Sequence, residues 1–180
     1  AALQSKAQSI SFTYNEPTVF YEFMYDVSRL AKSAGLKTAV ITNGYMTEEA
    51  VCDISPYMDA FRIDLKAFSD SFYKTVCGGA RLEPVLDAVK LVSELKKHLE
   101  LVTLIIPGMN DSKDEISSML SWEIENLGVF VPHHFTAFTP MYEMRDRRAA
   151  GHADVDAVFR MAKDAGLCYP YVGNVMHSEG

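Results

Sequence analysis

Five short polar segments hold the residue types that can do chemistry: Thr13-Tyr14-Asn15-Glu16-Pro17, Thr42-Asn43-Gly44, Asp64-Leu65-Lys66, Pro107-Gly108 with Asn110-Asp111, and Thr139-Pro140-Met141-Tyr142. Each follows an apolar, β-rich run. An amide beside a carboxylate, as in Asn15 and Glu16, can bind an ammonium group. Glu16 between Asn15 and Pro17 equally suits a helix N-terminus, where an acid interacts with the helix dipole. Asn43-Gly44 can present an amide or simply make a turn. Asp64 and Lys66 are sharper, because alternation along a strand points both to one side and Leu65 to the other. A charged pair ending a strand as apolar as AFRID needs a partner or a ligand, since burying unpaired charge is costly. Lys66 can fix a carboxylate or phosphate with Asp64 orienting it; a structural ion pair is the competing reading. Lys66 is also the candidate for a Schiff base in an aldolase-type enzyme, with Asp64 as acid and base.

The remaining reactive side chains say less. His133-His134 opens a strand, so one ring faces in and the next out. Without Cys or carboxylates at ligand spacing they make no zinc site. His98, His152 and His177 read as surface residues, and no metal ligand or catalytic residue is assigned. Cys52, Cys77 and Cys168 are an odd, sparse set. They form a poor disulfide framework and suggest a reducing, cytoplasmic setting.

The elements that must position these residues alternate. Strands are expected over Ser9–Tyr14, Lys37–Thr42, Ala60–Asp64, Leu99–Ile106, His133–Phe138 and Cys168–Val172. Helices are expected over Val19–Ala34, from a cap at Thr47, and over Asp70–Val76, Glu83–Lys97, Ser112–Leu127 and Ala153–Ala165. Unbroken alternation favours right-handed βαβ units on a parallel sheet, and apolar runs such as VTLII and TAVI suit doubly covered strands. No Gly-x-Gly-x-x-Gly follows the first strand, which weakens a dinucleotide-binding reading. Polar residues at several strand ends suit a partial (β/α) TIM-like barrel.

Length and composition set the limits. At 180 residues and 48% hydrophobic, residues 1–180 are expected to form one domain around a single core. A formal net charge of -7 argues against a nucleic-acid partner, which would need a Lys/Arg stripe to release counterions. No apolar run reaches the length of a membrane span, and the first residues lack a signal-peptide core.

Taken together and in order, TYNEPT, TNGY, IDLKAF followed by CGG, LIIPGMND and FTAFTPMYEM resemble the radical S-adenosylmethionine superfamily, in its activating-enzyme-like branch. The likeness runs from Ser9 to Asn174. It is greatest to the radical enzymes of the AmmeMemoRadiSam system, and more distant to pyruvate formate-lyase activating enzyme. The resemblance implies a partial (β/α) barrel that binds S-adenosylmethionine and a 4Fe-4S cluster. It further implies an oxidoreductase that cleaves the sulfonium reductively to a 5′-deoxyadenosyl radical, which takes hydrogen from a protein or small-molecule substrate. Its implied site residues are Glu16, with Asn15 beside it, at the methionine ammonium; Thr42 and Asn43 facing the cofactor; Asp64 and Lys66 near the methionine moiety, with Lys66 suited to its carboxylate; and Tyr142 near the nucleoside.

One departure from the family pattern matters. The family's Cys-x3-Cys-x2-Cys precedes the strand matched by TYNEPT, and this sequence lacks it. The expectation is a fragment without the first strand–helix unit and without the cluster ligands, unable by itself to generate a radical. A cluster-free module that binds a nucleoside or a protein is the alternative. A first strand left at an open edge is also an association hazard.

Overall fold

The computed structural model describes residues 2–175. Its strands are β1 (Ser9–Phe12), β2 (Lys37–Thr42), β3 (Ala60–Asp64), β4 (His98–Ile105), β5 (His133–Ala137) and β6 (Pro170–Gly173). The helices are α1 (Tyr21–Ser33), α2 (Glu48–Ile54), α3 (Asp70–Val76), α4 (Glu83–Glu94), α5 (Lys113–Leu127) and α6 (His152–Ala165). The strands form one six-stranded sheet in the order β1-β2-β3-β4-β5-β6. With helices interleaved along the chain, this is the topology of an incomplete TIM-like barrel. Two compact units make it up: the chain up to Asp64 with Glu83–Glu100, and Leu65–Leu82 with the chain from Leu101 onward.

In the first unit, parallel ladders align Ser9 with Lys37 and Phe12 with Val40, then Ala39 with Ala60 and Thr42 with Ile63. Period-two alternation sorts the side chains. Thr38, Val40, Thr42, Phe61 and Ile63 are buried, while Ala39 and Ile41 are half-buried and Arg62 is exposed. TAVI is therefore not a doubly covered strand. The helices contribute Met24 and Ala31 from α1, Val51 and Ile54 from α2, and Val85, Val89 and Val92 from α4. Each of the buried Met, Val and Ile side chains contributes about 1.5–3 kcal/mol of burial. The charges of Lys32 and Lys37 converge on Asp59, whose Oδ1 lies 2.7 Å and 3.5 Å from their ammonium groups.

In the second unit, β4 pairs with β5 from Leu101 opposite His133 to Ile105 opposite Ala137, and β5 pairs with β6. Leu101, Val102 and Thr103 are all buried, so β4 is covered on both faces there, but Leu104, the middle residue of VTLII, is 37% exposed, and the expected double cover does not extend through the run. Ile105, Ile116, Leu120, Phe135, Val155 and Val158 pack in one cluster.

Several boundaries differ from the sequence reading. β1 ends at Phe12, and Pro17–Phe20 forms a 3-10 turn ahead of α1. α4 ends at Glu94, so Lys96 and Lys97 lie beyond it, and Cys168 precedes β6 rather than lying in it. Helix ends are otherwise as the residues dictate. Thr47 and Ser112 accept from the N–H groups of Ala50 and Glu115 to cap α2 and α5. Gly35, at φ 77°, ends α1 with the Leu36 N–H bonded to Ala31 O. His177 lies outside the described residues.

Candidate functional site

In the first unit the polar strand ends meet at Glu16. Both of its oxygens are used. Oε1 accepts from Thr18 N (3.2 Å), from the Thr18 hydroxyl (3.1 Å) and from the buried Thr42 hydroxyl (2.6 Å). Oε2 accepts from Asn43 N (2.7 Å). The bonds from Thr18 are the local N-cap contacts the Asn-Glu-Pro sequence suggests. Those from Thr42 and Asn43 tie the residue after β1 to the end of β2, which adjacent parallel strands bring into register. Oε1 is saturated, whereas Oε2 carries one donor among the described residues and keeps acceptor capacity for a cation.

The same turn organises Thr42-Asn43-Gly44. Gly44 N donates to Thr42 Oγ1 (3.1 Å), while the one proton of that hydroxyl goes to Glu16. Tyr45 N donates to Asn43 Oδ1 (2.8 Å), an Asx turn that leaves the Asn43 Nδ2 group without a hydrogen bond among the described residues. Gly44 has φ 73°, and a Cβ there would lie 2.6 Å from Ile63 Cγ2 and 3.2 Å from Val85 Cγ1. No larger residue fits without displacing buried side chains. Asn15, beside Glu16, is exposed.

Asp64 closes β3, and burial keeps alternating past it: Leu65 and Ala67 are buried, Asp64 and Lys66 half-exposed. In the second unit the backbone at Lys66 is held by side chains. Its N–H donates to Tyr73 Oη (3.2 Å), and its carbonyl accepts from Asn110 Nδ2 (2.7 Å). Asn110 is fully buried and also donates to Leu104 O (2.8 Å), while its Oδ1 accepts from Ile106 N (2.8 Å). The Asn110-Asp111 pair is a strand-end mark in the sequence, but nothing in its composition shows that the amide clamps the Lys66 backbone. Phe68 N donates to Glu115 Oε1 (2.8 Å), anchoring the loop to α5.

Tyr142 opens a 3-10 turn with φ 49° and is 78% exposed. Its carbonyl accepts from Arg145 Nε (2.8 Å). A cavity of about 250 Å³ in this unit is lined by Ser71, Phe72, Thr75, Gly108, Met109 and Arg147.

The cysteines do not suit an iron–sulfur cluster. Cys52 lies in α2, Cys77 caps the C-terminus of α3, and Cys168 is exposed ahead of β6. Burial pushes the Cys77 thiol up, against a weaker downward pull from the Lys66 charge, so it favours the thiol over the thiolate that metals bind. Among the described residues no group of three or more His, Cys, Asp and Glu gathers as a metal site, and no helix is long and apolar enough to cross a membrane.

Comparisons with known proteins bear on this arrangement. The family described as Radical SAM superfamily matches residues 1–121. An uncharacterized protein of Methanocaldococcus jannaschii is 39% identical over 179 residues, 99% of this chain and 53% of that protein. Pyruvate formate-lyase-activating enzyme of Clostridium pasteurianum is 27% identical over 110 residues, 61% of this chain and 45% of that enzyme. The crystal structure of a domain of pyruvate-formate lyase-activating enzyme from Bacteroides vulgatus has a TM-score of 0.77 at 19% identity, covering 93% of this chain and 100% of that one. At that identity the likeness shows the fold alone. The chain spans about half the length of the curated relatives it matches.

Proposed function

The chain belongs to the radical SAM superfamily, and we propose that it is the S-adenosylmethionine-binding part of an activating-enzyme-like radical enzyme, of the kind found in the AmmeMemoRadiSam system. The observation that carries this reading is Glu16, a carboxylate built into a strand end by four donors yet still open to a cation at Oε2. When bound, S-adenosylmethionine supplies on one-electron reduction a 5′-deoxyadenosyl radical that takes hydrogen from a protein or small-molecule substrate.

In this reading, residues of the chain bind and orient the cofactor. Glu16 Oε2 accepts from the methionine ammonium, with Asn15 and the Asn43 Nδ2 group as further polar contacts. Thr42 acts through Glu16, fixing the orientation of its carboxylate by a hydrogen bond to Oε1. The Lys66 ammonium pairs with the methionine carboxylate, with Asp64 orienting it, and Tyr142 offers an aromatic face to the nucleoside. The reductant is a 4Fe-4S cluster whose ligands we assign to other parts of a longer protein, since Cys52, Cys77 and Cys168 do not fit it. Such an enzyme works in a reducing, cytoplasmic setting, and residues 1–180 act as one functional domain.

Equilibrium titration of S-adenosylmethionine into the full-length protein, reconstituted anaerobically, tests this. Lys66→Ala and Glu16→Gln are each expected to weaken binding by roughly ten- to a hundredfold, the loss of a charge-assisted contact. Glu83→Gln, at the exposed start of α4, is expected to leave it unchanged. If folded Lys66→Ala and Glu16→Gln proteins bind as the parent does, the two residues are structural and the reading fails.

A further inference from the structure

Behind the strand end that carries Lys66 lies a chain of three fully buried polar side chains, Thr103 on β4, His133 on β5 and Glu123 on α5. Thr103 Oγ1 is 2.6 Å from Leu65 O and 2.9 Å from His133 Nε2, and His133 Nδ1 is 2.7 Å from Glu123 Oε2. A hydroxyl has one proton, and a carbonyl can only accept. Thr103 therefore donates to Leu65 O and accepts from the His133 Nε2–H. The Nδ1–Oε2 contact then needs a proton of its own, so His133 and Glu123 share one and are neutral as a pair. Neutrality explains how the pair is buried at 0% exposure with Glu123 Oε1 lacking a partner among the described residues.

Leu65 and Lys66 follow the last residue of β3, where side chains take over the backbone bonding. Leu65 O is held by Thr103, Lys66 O by Asn110 and Lys66 N by Tyr73. We infer that the Glu123–His133–Thr103 chain is a positioning device for the proposed S-adenosylmethionine site: it fixes the Leu65–Lys66 peptide and so sets the reach of the Lys66 ammonium toward the carboxylate of the ligand. This rests on the reading of Lys66 given above. A lone threonine could hold the carbonyl, but hydrogen bonds in series polarise one another, so the imidazole strengthens the hydroxyl as a donor.

A double-mutant cycle on the full-length protein, read by equilibrium binding of S-adenosylmethionine, tests the inference. Thr103→Val keeps the shape and removes the donor, and is expected to weaken binding about threefold to tenfold. Thr103→Ser is expected to restore it. In a Lys66→Ala background Thr103→Val is expected to add nothing, because its effect passes through Lys66; a merely structural role would weaken both backgrounds alike. Should Thr103→Val not fold, Glu123→Gln, which keeps side-chain volume, serves in the same cycle. If Lys66→Ala weakens binding but Thr103→Val does not, or if the two losses add in full, the positioning role is overturned while the Lys66 reading stands. If Lys66→Ala binds as the parent does, both fall.

Discussion

Glu16 Oε1 and Thr42 Oγ1 lie 2.6 Å apart, so that a residue just after β1 and the last residue of β2 are joined by a charge-assisted hydrogen bond. Thr42 is 2% exposed, which leaves water little access to replace the bond. The carboxylate candidate of the first unit thus depends on a neighbouring strand for its orientation, and its function and its folding are coupled.

Thr42→Val should lower the unfolding free energy by about 1.5–3 kcal/mol, the value of a hydrogen bond to a charged group together with an unsatisfied Gly44 N–H. Thr42→Ser should recover most of it. Urea unfolding of the three proteins provides the measurement. Equal midpoints for parent and Thr42→Val would mean that Glu16 is held sufficiently by Thr18 and Asn43.

Gly44→Ala should be more damaging than Gly35→Ala, although both glycines have φ above +70°. At Gly35 a Cβ meets nothing within 4 Å, so only the left-handed backbone is strained, at about 1–2 kcal/mol. At Gly44 the Cβ also meets Ile63 Cγ2 at 2.6 Å, adding about 1–3 kcal/mol of overpacking. Thermal melts compare the two directly, and similar losses would show that Ile63 shifts at little cost.

Much of this was legible because it is local. Period-two and period-3.6 patterns mark the strands and helices, Thr47 and Ser112 announce their caps, and Asn15-Glu16-Pro17 announces the start of a helical turn. Lys96 shows where local signals mislead. It takes the left-handed position that ends α4, with φ 54° and the Lys97 N–H bonded to Val92 O, the job Gly35 does for α1. A lysine there reads as one more helix residue. Thr103 hides inside VTLII and Glu123 among the polar residues of α5, so their link through His133 has no signature in spacing. Asn110 looks like a turn residue because its partners lie 4, 6 and 44 positions away.

Asp59 should govern part of the acid stability. Burial pushes its carboxyl up, but the Lys32 hydrogen bond, the Thr38 N–H and the charges of Lys32 and Lys37 outweigh this and hold it at about 2. Its ordinary value is about 3.9. A depressed folded value means stability that is fully present above the unfolded value and lost as pH falls from there through about 2. The stability difference between parent and Asp59→Asn should therefore be constant near neutrality and shrink below about pH 4. A difference that does not change between pH 6 and pH 2.5 would mean that the ion pair does not couple to folding.

Asn110 is the remaining clamp, and its removal can be watched at one atom. Asn110→Ala leaves Lys66 O, Leu104 O and Ile106 N without the side chain that bonds all three. At about 1–3 kcal/mol for each buried unsatisfied group, the loss should reach roughly 3 kcal/mol or more. Asn110→Asp keeps the shape and an acceptor for Ile106 N but turns a carboxylate toward two carbonyls, so it should be at least as destabilised. Hydrogen exchange separates the bond from general loosening. In folded Asn110→Ala the Ile106 amide should lose protection by a larger factor than amides in the middle of β4, such as Val102 and Thr103. In Asn110→Asp it should stay comparatively protected, because its acceptor remains. Uniform loss across the whole strand in both variants would mean that Asn110 acts through packing, and the account of how the Lys66 backbone is held would have to be given up.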